Sequence, residues 1–439
     1  MTTVLYADAL VTAGKTVLDA ELRFANGRIT AVGAKGSLGA LPAGAKVRDL
    51  RGRILIPGLT NGHTHSAMTL LRGVSDDHGF MPWLAEVQAL EQHLTEEDVL
   101  AGLQLAMLEM IASGTTAFAD MYVWNSRLIQ AVSEAGMRVV AAPATVAPDV
   151  VMFPGVTARD GAAELAHTAQ LAEEFHGDPL IKIAFGPHAP YSVPREFFVE
   201  TIAHAKESGL PIHTHISESP AEVAQMLDRV GKTPGDYLRD LGLLDAKVLA
   251  AHCVHLTAGE IGDYVAAGAA LSHNPVSNLK LGNGVADFPE WLASGAQVSL
   301  GTDSVASNNN LDLFEEMKLA AMLHRGVRHD AAAVTAESVF EVATKRGAKA
   351  IGFAGSGELA VGKCADIVAL NVTGVNAIPH DNLVSHIVFA AGGHDVTDVW
   401  VNGRALYKDG EHLTLDAQNI KQRARVSAAR IRAAAAEKA

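Results

Sequence analysis

The chain has 439 residues, a formal net charge of −14 from 35 Lys+Arg against 49 Asp+Glu, and 19 histidines beside only 2 cysteines. Cys253 and Cys364 allow one bridge at most, so the fold rests on a hydrophobic core, and a metal site of four thiolates is excluded. The acidic balance argues against nucleic acid or an anionic membrane as a partner bound through a basic patch, and 49% hydrophobic with 19% charged residues argues against disorder.

The first 30 residues include Asp8, Asp19 and Glu21 and lack a basic start followed by an apolar run. No stretch of about 20 apolar residues occurs. A soluble, cytoplasmic protein is expected. Residues 1–57 read as β. Two alternating runs in "TVLDAELRFANGRITAVG" meet at Asn26-Gly27, a strong hairpin signal. "VRDLRGRILIPG" predicts a further pair of strands. Residues 357–439 begin in the same style. "ADIVALNV" and "VTDVWVNGRALYKDG" alternate, with a turn at Asn402-Gly403, and the stretch from Arg430 to Ala439 reads as a helical tail. The two flanks are expected to form one small β-sandwich domain built from both chain ends.

Residues 58–356 have another rhythm. Eight apolar runs, at 55–65, 115–122, 137–143, 181–190, 211–218, 247–254, 269–275 and 297–303, alternate with helical stretches such as "EDVLAGLQLAMLEMIAS" and "REFFVETIAHAKESG". This predicts an α/β fold with a (β/α)8 TIM-like barrel. The alternative is a doubly wound open sheet, but no GxGxxG follows the first run.

Catalytic groups of such barrels sit at the C-terminal strand ends, and many of the histidines fall there. His63 and His65 are two apart, so in a strand both imidazoles face one way and can reach one ion. His213 and His215 repeat that spacing, with Glu218 three residues on. His252 ends the sixth run and Asp303 the eighth. Histidines converging with a carboxylate suit a divalent metal. Each has a plain alternative. A lone strand histidine is usually a core or rim residue, His213 is as readily a partner of a ligand as a ligand, Asp303 could cap a helix, and Glu218 could be a solvated helix-start carboxylate.

The ordered strings "PGLTNGHTH", "HTHISES", "LAAHCVH", "SHNPVSNLKLGNG" and "GTDS" resemble the amidohydrolase superfamily. "HTHSAMTLLRG", "GPHAPYSV" and "GTDSVASNNNLDLFEEMK" look like its subgroup of 5′-methylthioadenosine/S-adenosylhomocysteine deaminases. The resemblance covers nearly the whole chain. It implies one divalent ion, zinc in preference to Fe2+ or Mn2+, held by His63, His65, His215 and Asp303. Binuclear relatives carry a lysine at the end of the fourth strand. That end reads "GPHAP" here, with Lys182 near the strand's start, which agrees with a single ion. Such an ion lowers the pKa of a bound water from 15.7 to about 7. The implied reaction is attack on C6 of a 6-aminopurine, with Asp303 taking the water proton, His252 orienting the nucleophile, and Glu218 protonating N1 and then the leaving amine.

Further substrate contacts are implied. Trp83 would pack on the apolar part, Glu91 would accept hydrogen bonds from both ribose hydroxyls, and His188 would meet the purine ring. Trp83 has the alternative of a plain loop anchor. Glu91 lies in "EVQALEQHLTEED", where a solvated face is the default, one residue short of the usual spacing from Trp83. An arginine expected to grip a homocysteine carboxylate is replaced by Pro143, with Arg159 a candidate substitute. A small apolar 5′ group, as in methylthioadenosine or adenosine, is therefore expected ahead of S-adenosylhomocysteine. His273 and Asn274 either line the site or belong to a structural loop, and His255 is expected at a helix start. Guanine deaminase, aminofutalosine deaminase or s-triazine hydrolase would keep the same ligands. A non-catalytic barrel scaffold should have lost some of them, and none is missing here. A small-molecule nucleoside is the expected partner, and a homo-oligomer stays open.

Overall fold

The computed structural model describes residues 1–379 and 381–437. The first flank forms β1 (Thr3–Thr12), β2 (Lys15–Ala25), β3 (Arg28–Ala34) and β4 (Lys46–Pro57). Asn26 and Gly27 turn the β2–β3 hairpin with φ of 51° and 75°, the left-handed pair that a two-residue loop requires. The expected strand pair in "VRDLRGRILIPG" is corrected. It is one long strand, β4, that bulges instead of reversing. Gly52 takes φ 79°, and the register against β1 shifts between Ala7 and Ala9.

All eight apolar runs contain strands. They are β5 (Leu59–Thr64), β6 (Thr115–Tyr122), β7 (Arg138–Thr145), β8 (Ile181–Ile183) with a short continuation β9 (Gly186–Pro187), β10 (Ile212–Ile216), β11 (Val248–His252), β12 (Ala270–His273) and β13 (Gln297–Leu300). They pair in parallel in the order β10-β11-β12-β13-β5-β6-β7-β8, with β9 beside β7. The ends of this path also meet. Phe185 and Ile212 form a parallel bridge, Phe185 N donates to Pro211 O at 2.9 Å, and His213 N donates to Phe185 O at 2.8 Å. Helices such as Glu96–Ala112, Ser126–Ala135, Gly161–Glu174 and Arg195–Ser208 connect successive strands. β5 and β13 approach so closely that a Cβ on Gly62 would lie 1.9 Å from Ser299 Oγ, so only glycine fits beside His63.

The chain then returns to the first sheet with β14 (Ile367–Asn371), β15 (Val396–Val401), β16 (Arg404–Lys408) and β17 (Glu411–His412). The expected Asn402-Gly403 turn joins β15 to β16. Both flanks make one mixed sheet in the order β17-β16-β15-β14-β4-β1-β2-β3, with its own core of Leu5, Leu22, Phe24, Leu55, Ile367 and Trp400. The tail is helical over Ala417–Ala436, and its last two residues lie outside the described ones. Among the described residues no helix is long and apolar enough to cross a membrane.

Candidate active site

The four residues expected to hold a metal meet at the C-terminal ends of the parallel strands. His63 lies in β5 and His65 just beyond it, His215 in β10, and Asp303 three residues after β13. His65 Nε2 is 3.3 Å from both His215 Nε2 and Asp303 Oδ1, and His63 Nε2 is 3.4 Å from the same oxygen. Two donors about 2.1 Å from one ion at a tetrahedral angle lie about 3.4 Å apart, so the spacing fits a single small divalent ion.

The far nitrogens agree. His65 Nδ1 donates to Met121 O at 2.5 Å and His215 Nδ1 to His188 O at 2.7 Å. A carbonyl only accepts, so Nδ1 carries the proton, and in the neutral ring Nε2 has the lone pair a metal needs. Burial lowers the His65 value, but the Asp303 carboxylate beside its Nε2 raises it to about 9. His63 Nδ1 meets His213 Nε2 at 2.9 Å, while His63 Nε2 is buried and makes no hydrogen bond. Burial holds His63 down to about 3 and His215 well below the ordinary histidine value, which keeps both rings in the neutral, ligating form. Burial opposes charge on the Asp303 carboxylate, but the His63 and His65 imidazoles within 3.4 Å of it hold it well below the usual range. Ser277 Oγ and Ser307 Oγ donate to its Oδ2 at 2.6 and 2.8 Å.

Asp303 is no helix cap. Its φ is 59°, and that of His252 is 68°. Such left-handed residues cost about 1–3 kcal/mol each and persist only where the surroundings impose them. Here they aim both side chains at one point. His252 Nε2 lies 3.9 Å from Asp303 Oδ2 and 3.9 Å from Glu218 Oε2. Its Nδ1 is 2.8 Å from Asn278 Oδ1 and 3.3 Å from Asn274 Nδ2. His63, His215 and His252 also form a second triad of donors within 4.8 Å, so His252 adjoins the ion's position too.

Glu218 is not solvated. It is 4% exposed, and Asn283 Nδ2 donates to its Oε1 at 3.1 Å. Burial, then the Asp303 charge, pushes its carboxyl well above the usual range, which favours its protonated form. Glu222 fixes the preceding backbone by accepting from Glu218 N at 2.6 Å and Ser217 N at 3.2 Å.

Trp83, Glu91 and His188 line the same cavity as Glu218, His252 and Asp303, with Phe80, Leu84, Met152 and Phe153 as apolar wall. Trp83 Nε1 donates to Ala306 O at 3.1 Å. The solvated default for Glu91 fails. Tyr122 Oη donates to its Oε1 at 2.6 Å, and burial raises the carboxyl to about 7. Burial lowers His188 to about 4, and its Nδ1 meets Ser192 Oγ at 2.8 Å. Free space in the cavity is about 60 Å³, against about 300–1,000 Å³ for small-molecule sites. A ligand of nucleoside size therefore requires the wall to open. Pro143 sits in β7. Arg159 is paired to Glu164 Oε2 at 2.8 Å beside Met152 and Phe153 in a neighbouring small cavity.

Several contributors were not foreseen: Tyr122, Ser277, Asn278, Asn283, Ser307 and Glu222. Three of them lie in "SHNPVSNLKLGNG", left open between site and loop. That segment divides. Asn274 turns to His252, whereas His273 Nε2 meets His324 Nε2 at 3.0 Å. His255 lies in the turn before the helix Ala258–Ala266 and meets Asn283 O through Nε2 at 2.7 Å, bracing the residue that holds Glu218.

A model of the amidohydrolase family matches residues 54–406. The chain belongs to the amidohydrolase family. Among relatives of this amidohydrolase, a 5-methylthioadenosine/S-adenosylhomocysteine deaminase from Syntrophobacter fumaroxidans is 39% identical over 93% of this chain and 92% of its own. A 5′-deoxyadenosine deaminase from Methanocaldococcus jannaschii is 41% identical over 87% of this chain and 89% of its own. An adenosine deaminase from Xanthomonas campestris, solved with bound zinc, superposes with a TM-score of 0.93 at 32% identity, covering 98% of each chain.

Proposed function

We propose that this amidohydrolase removes the 6-amino group of a purine nucleoside by hydrolysis, giving the inosine analogue and ammonia. One observation carries the reading. A single cavity joins His65, His215 and Asp303 of the candidate metal-ligand cluster with His252, with Glu218, whose carboxyl is pushed well above the usual range, and with a second carboxyl, Glu91. His63, His65, His215 and Asp303 would hold a divalent ion, zinc before Fe2+ or Mn2+, which when bound would supply activation of water near neutral pH. Asp303 takes the water proton, its free oxygen steadied by Ser277 and Ser307. His252 orients the water. Glu218 gives its proton to N1 and passes the next to the departing amine. His188 meets the purine ring, Trp83 covers the apolar part, and Glu91 accepts both ribose hydroxyls.

With Arg159 paired to Glu164 and Met152 and Phe153 in the wall, a small uncharged 5′ group fits better than homocysteine. The relative named for 5′-deoxyadenosine agrees with this preference, whereas the one named for methylthioadenosine names S-adenosylhomocysteine as well. Ammonia release should therefore be fastest with adenosine, 5′-deoxyadenosine or methylthioadenosine in a panel that includes S-adenosylhomocysteine, aminofutalosine, guanine and an s-triazine. Guanine and triazines lack ribose and leave Glu91 without partners. A preference for them would overturn the nucleoside assignment, and a preference for S-adenosylhomocysteine would overturn the 5′-group assignment.

The same proposal reads residues 58–356 as a closed barrel, supported by the Phe185–Ile212 bridge, and residues 1–57 with 357–439 as a small β-sandwich. Two buried, unpaired cysteines support a reducing, cytoplasmic location.

A further inference from the structure

At the other end of the parallel strands lies a cavity of about 620 Å³, about ten times the 60 Å³ at the catalytic end. Its walls come from strand beginnings: Lys182 in β8, Lys247 just before β11, Ala270 in β12 and Gln297 in β13. Lys182, Lys247 and Lys349 line it, no carboxylate does, and none of the three lysines forms an ion pair among the described residues. Lys247 Nζ donates to Gly209 O at 3.2 Å and Lys182 Nζ lies 5.4 Å from the Phe353 ring. In a chain of net charge −14, an unneutralised cationic cavity is a local exception, and like charges gathered around one space attract an anion.

The inner wall differs. Val140, Ile183 and Leu249 are apolar, and the polar residue among them is His213. His213 is 0% exposed and its Nδ1 has no partner. Leaving such a buried polar atom unpaired costs about 1–3 kcal/mol. The cavity thus has a cationic part, apolar walls and hydrogen-bonding side chains in His176, His213 and Gln297, and its volume falls in the range of small-molecule sites.

We propose that this cavity binds a phosphorylated small molecule with an aromatic or heteroaromatic body. The phosphate dianion sits among Lys182, Lys247 and Lys349, which a single carboxylate charge would neutralise less completely. The ring lies against the apolar wall of Val140 and Leu249, with His213 buried behind it. His213 Nε2 is 2.9 Å from His63 Nδ1, so one side chain separates this site from the catalytic cluster, and occupancy acts on turnover without competing with substrate.

Calorimetry on the zinc-loaded enzyme tests this, with phenyl phosphate, inorganic phosphate and benzoate as probes, repeated with saturating inosine to fill the catalytic end. Phenyl phosphate should bind at one per chain with or without inosine, more tightly than inorganic phosphate or benzoate. Lys182→Ala/Lys247→Ala and Lys349→Ala should each weaken it about tenfold or more while leaving basal deamination unchanged. In kinetics it should alter kcat and leave KM in place. Three results would overturn the proposal: no binding at millimolar phenyl phosphate, affinity untouched by the lysine variants, or displacement by inosine. Benzoate binding as tightly as phenyl phosphate would overturn the phosphate assignment.

Discussion

Glu218 and Asp303 share one cavity and are pushed in opposite directions. Burial and a neighbouring charge push Glu218 up, while the two histidines beside Asp303 hold it well below the usual range. Paired carboxyls with separated pKa values divide the acid and base roles between them. Glu218→Gln keeps shape and removes the transferable proton. Its metal content by elemental analysis should be unchanged, with turnover lower by about 10²–10⁴; near-normal turnover would sink the acid role. Glu91 supplies the pH dependence. Its carboxyl, raised to about 7, loses its proton as pH rises, and only the ionised form accepts both ribose hydroxyls. KM for nucleosides should therefore fall as pH rises through about 7, and Glu91→Gln should flatten that profile. The Tyr122 hydrogen bond lowers the Glu91 value, so Tyr122→Phe should move the transition to higher pH. A KM profile unmoved in both variants would remove Glu91 from ribose recognition.

The element that governs access is the helix Phe80–Glu91, which brings Phe80, Trp83 and Glu91 to the cavity. The loop before it is tied down by Lys280, whose Nζ donates to Asp76 Oδ1 at 2.7 Å, Ala306 O at 3.1 Å and Asn309 Oδ1. With about 60 Å³ of free space in the cavity, the position of this wall bears directly on substrate binding. Lys280→Ala should raise KM about 3–10-fold with metal content unchanged, as expected for losing about 1 kcal/mol of positioning. Unchanged steady-state constants would mean that the tether does not hold the helix. At this scale the strands were legible, since period-2 alternation and Asn-Gly turns are local. The single long β4 was not. Its Gly52 bulge looks in sequence like a turn between two strands, and only its pairing with β1 and β14 shows that it continues.

Across the whole molecule, a buried ion pair joins the two sheets. Arg138, at the start of β7, donates through Nε to Asp366 Oδ2 at 2.7 Å and through Nη2 to Oδ1 at 3.0 Å. Asp366 also accepts from Asn402 N at 2.7 Å, at the β15–β16 turn, and from Ser356 Oγ. Removing one partner of a fully buried pair strands the other charge and costs about 3–5 kcal/mol. Asp366→Ala should therefore unfold at a clearly lower temperature by calorimetry, with metal affinity of the surviving folded fraction unchanged. A melting temperature equal to that of the parent would show that the two sheets do not depend on this link.

By itself the sequence determined the strand–helix alternation, the small β domain assembled from distant ends, and the ordered motifs carrying His63, His65, His215, Glu218, His252 and Asp303. Those depend on local periodicity and on residue type at strand ends, which one dimension records. Only the tertiary structure decided that Glu91 accepts a hydrogen bond from Tyr122, 31 residues away, and that Asn283, 65 residues from Glu218, holds the acid. It also decided that His213 backs His63 across 150 residues of chain. Burial and hydrogen-bond partners set whether a carboxyl is an acid or a base, and both depend on which distant segments pack together.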